Sequence, residues 1–134
     1  MDKIVFKSFF DDRGSLIPIE FNTLPFMPIR AFIVSNVPKN TIRGNHSHYI
    51  TKQYLMCLEG KIEVILNDGD IESKILLEKN EGVLVPELIW DSQKFLTNDS
   101  QLIVFCSTNY INEDYIFDFN EFVKIKKKLI MIKL

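Results

Sequence analysis

The sequence is sparing with the residues that most often carry chemistry: two cysteines, two histidines and one tryptophan in 134 residues. Two cysteines are too few for the disulfide framework of a small secreted domain. Cys57 in "YLMCLEG" and Cys106 in "LIVFCST" lie in apolar runs with no base or cation close in sequence, so they read as buried free thiols. No apolar run approaches the roughly 20 residues of a spanning helix. The opening "MDKIVFKSFFDDRG" has acids and alternating polarity where a secretory signal has its apolar segment. Sixteen basic residues do not outnumber eighteen acids, and no basic stripe is interleaved with aromatics, which argues against nucleic acid. The expectation is a cytoplasmic protein with neither nucleic acid nor membrane as partner. Repeats, linkers and low-complexity segments are also lacking, so residues 1–134 are expected to form a single domain.

What is present is 46% hydrophobic residues, arranged in short runs broken by turn residues. "KIVFKSF", "SLIPIEF", "RAFIVSNV", "QYLMCLE", "KIEVILN", "IESKILLE", "GVLVP", "WDSQKF" and "QLIVFCST" are candidate strands, too closely spaced for helices between them. The fold class expected is all-β, a sandwich or barrel. "NDGD", Asn67 to Asp70, carries the Asp-Gly pair of a tight hairpin, while "KNEG" and "TNDS" mark further turns. From Asn112 the pattern changes. Acids come early and lysines late, and Ile116, Phe119, Phe122 and Val123 keep roughly helical spacing, so a short C-terminal helix is expected there. Its tail, "KIKKKLIMIKL", is both basic and apolar and suits a helix end, an edge strand given to a neighbour, or a patch on a membrane surface.

Both histidines fall in "RGNHSH", Arg43 to His48. On a strand, His46 and His48 point into one space and Ser47 away from it. Paired imidazoles suit proton transfer near neutrality or metal ligation. Reading on, "RGNHSHYITKQYLMCLEG" resembles the first motif of the cupins, with Gln53 where that family usually has a glutamate. "PELIWD" is similar to the second motif, with Asp91 in the place of the fourth-ligand histidine. The resemblance implies a jelly-roll sandwich whose motif residues line the mouth between two sheets. A two-histidine, one-carboxylate triad of His46, His48 and Asp91 remains an alternative use of the same residues.

A closer resemblance spans nearly the whole chain. "DDRGSLIPIE", "LPFMPIRAFIV", the histidine segment, "GVLVPELIWD" and "YINEDYIFDFNEF" occur in the order found in bacterial sugar 3,4-ketoisomerases. That resemblance implies a homodimeric enzyme with no metal or other cofactor, acting on a dTDP-linked 4-keto-6-deoxyhexose. Its 3-keto product would go to an aminotransferase, toward 3-amino-3,6-dideoxyhexoses of surface polysaccharide. It also implies His48 as general base, with His46 handling the sugar oxygens, and Arg43, Arg13, Gln53, Asp91 and Tyr54 as substrate-binding candidates. Asp91 is expected to hold an imidazole and raise its pKa. Tyr54 shares the histidines' side only if no bulge intervenes, and alternation puts Tyr49 on the opposite face. The chain departs from that family at Ile33, where a tyrosine is common, at Asp91, where a basic residue is usual, and at Phe117, where an arginine is frequent. A catalytically silent sugar-nucleotide binder is the second alternative.

Overall fold

The alternating runs fold as strands of seven residues or fewer, with one exception of eight. The computed structural model describes residues 2–133, which contain twelve strands, one α-helix and two short 3₁₀ turns. In chain order they are β1 (Ile4–Val5), β2 (Phe9–Asp11), β3 (Gly14–Leu16), β4 (Arg30–Val34), β5 (Thr41–His48), β6 (Gln53–Glu59), β7 (Lys61–Asn67), β8 (Glu72–Glu78), β9 (Glu81–Val85), β10 (Trp90–Phe95), β11 (Gln101–Cys106), β12 (Tyr115–Ile116) and α1 (Phe119–Lys133). One five-stranded sheet has the order β1-β9-β6-β11-β4 and the other β12-β5-β10-β7-β8. All pairings are antiparallel, and β2–β3 stands apart as a hairpin. This is the expected cupin jelly roll.

Alternation sets the core. Ile62, Val64 and Leu66 of β7 meet Leu77, Phe95, Leu102, Val104, Leu55 and Cys57 between the sheets. Burying each such side chain contributes roughly 1.5–3 kcal/mol. The run "QYLMCLE" does not alternate because β6 is covered on both faces. Leu55 and Cys57 point between the sheets, whereas Tyr54 and Met56 join Phe6, Leu24 and Phe105 in a second cluster outside. Both cysteines are buried free thiols.

The β7–β8 hairpin turns on Gly69, whose φ of +103° costs glycine little. Asn67 Oδ1 accepts from the Gly69 N–H at 2.7 Å, and Asp68 Oδ1 accepts from those of Asp70 and Ile71.

The two ends differ from expectation. Of "KIVFKSF", only Ile4–Val5 pairs with β9, and Phe9 already belongs to β2. "SLIPIEF" stops at Leu16, two residues before Pro18, which has no N–H to give a ladder. Near the C-terminus, Asn112–Asp114 form a 3₁₀ turn and Tyr115–Ile116 pair with Ser47–His48, so Ile116 is buried by a strand rather than by helical phase. The helix begins after Asp118, whose Oδ1 accepts the Glu121 N–H at 2.9 Å. The tail is helical and not an edge strand: α1 runs through "KIKKKLIMIK" to Lys133. None of the described helices is long and apolar enough to cross a membrane.

Candidate active site

Two rows of paired residues, one across each sheet, lie at one end of the sandwich. In the first sheet Arg30 pairs with Cys106, Cys106 with Gln53, and Gln53 with Val85. In the second, Tyr115 pairs with His48, His46 with Asp91, and Asp91 with Leu66. Paired residues share a face, and Leu66 and Cys106 belong to the core between the sheets, so both rows face inward.

A bulge in β5 shapes the site. Asp91 pairs with His46 but Ser92 pairs with Gly44, leaving Asn45 as the extra residue. Gly44 and Asn45 take φ of +89° and +58° to make it. Residues three apart on a regular strand face opposite sides. The extra residue instead puts Arg43, paired with Gln93, on the same face as His46. A side chain at 44 would also run into the Asp91 and Gln93 side chains, within 3.0–3.2 Å.

The imidazoles of His46 and His48 stand 5.0 Å apart, edge to face, and Tyr115 packs across both, 5.3 Å from His46 and 4.4 Å from His48 between ring centroids. Phe117 stacks on Tyr115 from outside, and Tyr110 tilts against it. His48 is 5% exposed while His46 is half-buried, with Nδ1 buried and unbonded among the described residues. Burial pushes the His46 pKa down. Burial, aided by the charges of His46 and Arg30 and opposed by Asp114, pushes that of His48 down to about 4. Both are therefore neutral at pH 7 and able to accept a proton. Burial raises the Tyr115 phenol, and the Arg30 guanidinium offsets part of that rise. Arg30 also lies over Phe32 at 4.9 Å and Tyr110 at 5.4 Å, a cation held on two ring faces.

Asp114 ties down the turn that follows His48. Its carboxylate accepts from the N–H groups of Ile50 and Thr51 and from the Thr51 hydroxyl, and its carbonyl accepts from the Tyr49 N–H.

The expected site residues are not all brought together. His46, His48, Gln53, Asp91 and Arg43 face the same space. Gln53 is 4% exposed, its amide 3.7 Å from the Cys106 sulfur. Asp91 needs correction: its Oδ1 accepts from Gln93 Nε2 at 2.7 Å and bonds to neither imidazole. Burial raises its own pKa to about 7, and both histidines are lowered rather than raised. Nor do His46, His48 and Asp91 form a ligand set, for no three of His, Cys, Asp and Glu converge among the described residues. Tyr54 turns to the outer cluster, edge-on to Phe6, because strand phase is not carried through the turn 49–52. Arg13 sits on the β2–β3 hairpin, which pairs with neither five-stranded sheet, 90% exposed and paired with Asp11 at 2.6 Å. Tyr49 is exposed, as alternation required.

The family profile FdtA, described as "WxcM-like, C-terminal", matches residues 1–127. The chain belongs to the FdtA family. This FdtA-family chain is 34% identical over 128 residues to the TDP-4-oxo-6-deoxy-alpha-D-glucose-3,4-oxoisomerase of Aneurinibacillus thermoaerophilus, covering 94% of this chain and 92% of that one. The sugar 3,4-ketoisomerase QdtA of Thermoanaerobacterium thermosaccharolyticum, solved with TDP, superposes with a TM-score of 0.87 at 32% identity, over 95% of this chain and 94% of that one. A histidine-to-asparagine variant of QdtA, solved with TDP-4-keto-6-deoxyglucose, matches with the same TM-score, identity and coverage.

The structure relocates the FdtA-family chain's departures. Ile33 is 60% exposed on the outer face, and the inward position beside it is Phe32, packed on the core. No hydroxyl at 33 would reach the histidines. Tyr115 does pack on them and the charge of Arg30 acts on His48, and sequence reading passed over both although they lie in the segments "YINEDYIFDF" and "PFMPIRAFIV". Tyr115 lies three residues before the capping Asp118, on a strand too short to show alternation.

Proposed function

We propose that this protein isomerises TDP-4-keto-6-deoxyglucose to the corresponding 3-keto sugar. The observation that carries the reading is the trio of two neutral imidazoles with one phenol packed across both.

The reaction needs a base for the acidic proton on C3 and an acid to deliver one to C4. His46 is the base. His46 takes this role in place of the expected His48 because it is half-buried, with its Nδ1 unbonded among the described residues, whereas His48 is nearly enclosed. His46 removes the C3 proton, the C3–H electrons form the C3=C4 bond, and the C4 carbonyl becomes an oxyanion. The O3 proton passes to O4, and the electrons return through O3 to make the C3 ketone. C4 takes a proton from Tyr115, which is re-protonated from solvent, while His46 releases the C3 proton to solvent. Arg30, a fixed cation beside that phenol, stabilises the anionic intermediate and the tyrosinate. Arg43, on the same inner face, suits the diphosphate, for which guanidinium has paired donors. Gln53 is placed to donate to a sugar oxygen.

The same reading makes the protein a homodimer. Val5, Phe10 and Leu16 are 68%, 82% and 62% exposed on β1 and the β2–β3 hairpin, an apolar edge that a second subunit would cover, with Arg13 at its tip. Two free thiols suit the reducing cytoplasm, and the 3-keto product suits transamination toward surface-polysaccharide sugars.

Incubation with TDP-4-keto-6-deoxyglucose, followed by proton NMR, tests the proposal. A growing 3-keto species supports it, and substrate bound but returned unchanged would make the protein a silent binder.

A further inference from the structure

The family match ends at residue 127, in the middle of α1, yet the helix continues to Lys133. Its first half is held by the body: Phe122 is fully buried, and Trp90 packs against Phe119 and Phe122. The second half is more exposed. Leu129, Ile130, Met131 and Ile132 are 36%, 60%, 73% and 78% exposed. Four consecutive residues at 100° intervals cover the whole circumference of a turn, so this turn is apolar on every side; Leu129 and Ile130 flank a cleft shared with Asp68, Asp70 and Leu88, and Met131 and Ile132 stand out into solvent. Around it stand Lys126, Lys127 and Lys128 on the preceding turn and Lys133 beyond.

Charge is divided in the same way. Residues 119–133 hold five lysines and one glutamate, a formal +4, while the whole chain is −2, so the remainder carries −6. An apolar tip inside a lysine collar is the arrangement that enters the headgroup region of an anionic bilayer: the apolar turn leaves water and the lysines extend to lipid phosphates. A second copy fits less well. Tip against tip would oppose two collars of like charge, and tip against acidic body is a heterologous contact with no symmetry to close it.

We infer that the C-terminal turn of α1 docks this protein on anionic membrane surfaces, peripherally and reversibly. The inference does not depend on the reaction proposed above.

Vesicle co-sedimentation tests it, using phosphatidylcholine alone and phosphatidylcholine with about 30% phosphatidylglycerol. The wild type is expected to bind the anionic vesicles at least ~10-fold more tightly than the neutral ones, with binding falling as salt rises. Ile130→Ser/Ile132→Ser and Lys127→Glu/Lys128→Glu should each remove most of that binding while leaving the circular dichroism spectrum and thermal midpoint in place. Equal retention on both vesicles, no binding, or binding untouched by either double variant would overturn the inference. So would concentration-dependent self-association by light scattering that the Ile130→Ser/Ile132→Ser change abolishes, without vesicle binding.

Discussion

Tyr115 lies across His48, ring centroids 4.4 Å apart, because a two-residue strand pairs these residues directly. The contact brings a phenol from the C-terminal segment to imidazoles from the middle of the chain. Tyr115→Phe keeps the ring and removes only the acid. It should lower turnover by roughly 10²-fold or more while C3-hydrogen exchange continues, since His46 is untouched. Loss of exchange and turnover together would take Tyr115 out of the delivery step.

The two histidines should separate in the same assay. His46→Asn is expected to cost roughly 10²- to 10⁴-fold in kcat with TDP binding retained by calorimetry. His48→Asn should cost less, since His48 orders the site from a nearly enclosed position. The opposite ranking would restore His48 as the base.

Buried titrating groups give a stability profile of definite sign. His48 is depressed in the fold, so its contribution is complete above the unfolded value near 6.5 and is lost as pH falls toward 4. Asp91 is raised from 3.8 to about 7, so its contribution is complete at low pH and is lost as pH rises through 7. His48 is worth about 3 kcal/mol and Asp91 about 4 kcal/mol at most, and between pH 4 and 6.5 they oppose one another. Asp91→Asn keeps an oxygen for Gln93 and removes one side of that balance. Thermal midpoints should show the variant gaining on the wild type steadily from pH 4 to 7, with acid sensitivity below 6.5 exposed. A pH-independent offset would mean that Asp91 is not the buried titrating group.

Position 33 should be silent. Ile33→Tyr adds its hydroxyl to the outer face and is expected to change kcat/KM by less than about twofold, as surface changes far from a site usually do. A large effect would mean that the outer face of β4 reaches the substrate.

Much of this architecture was legible in the chain. The limits of β6 follow from an apolar run bounded by turn residues, those of β7 and β10 from alternation, and the Asp-Gly hairpin from backbone chemistry. His-x-His on β5 was enough to set both imidazoles on one face. What alternation could not convey was its own interruptions. The Asn45 bulge moves Arg43 to the inner face, and the turn 49–52 resets the phase that had suggested Tyr54. β12 is two residues long, too short for any period, so Tyr115 came to notice only through its pairing with His48. Asp91 was read as an imidazole's partner because sequence does not show that Gln93, two residues on, takes its oxygen first.

The most direct test of the central claim, that one group takes the C3 proton and another supplies C4, is turnover of TDP-4-keto-6-deoxyglucose in D2O with proton NMR of the initial product. Tyr115 exchanges its phenolic hydrogen with solvent, so a single deuterium at C4 of essentially every product molecule is predicted. Product whose C4 carries the hydrogen that left C3 would contradict the account, since it would mean that one histidine carries the proton across.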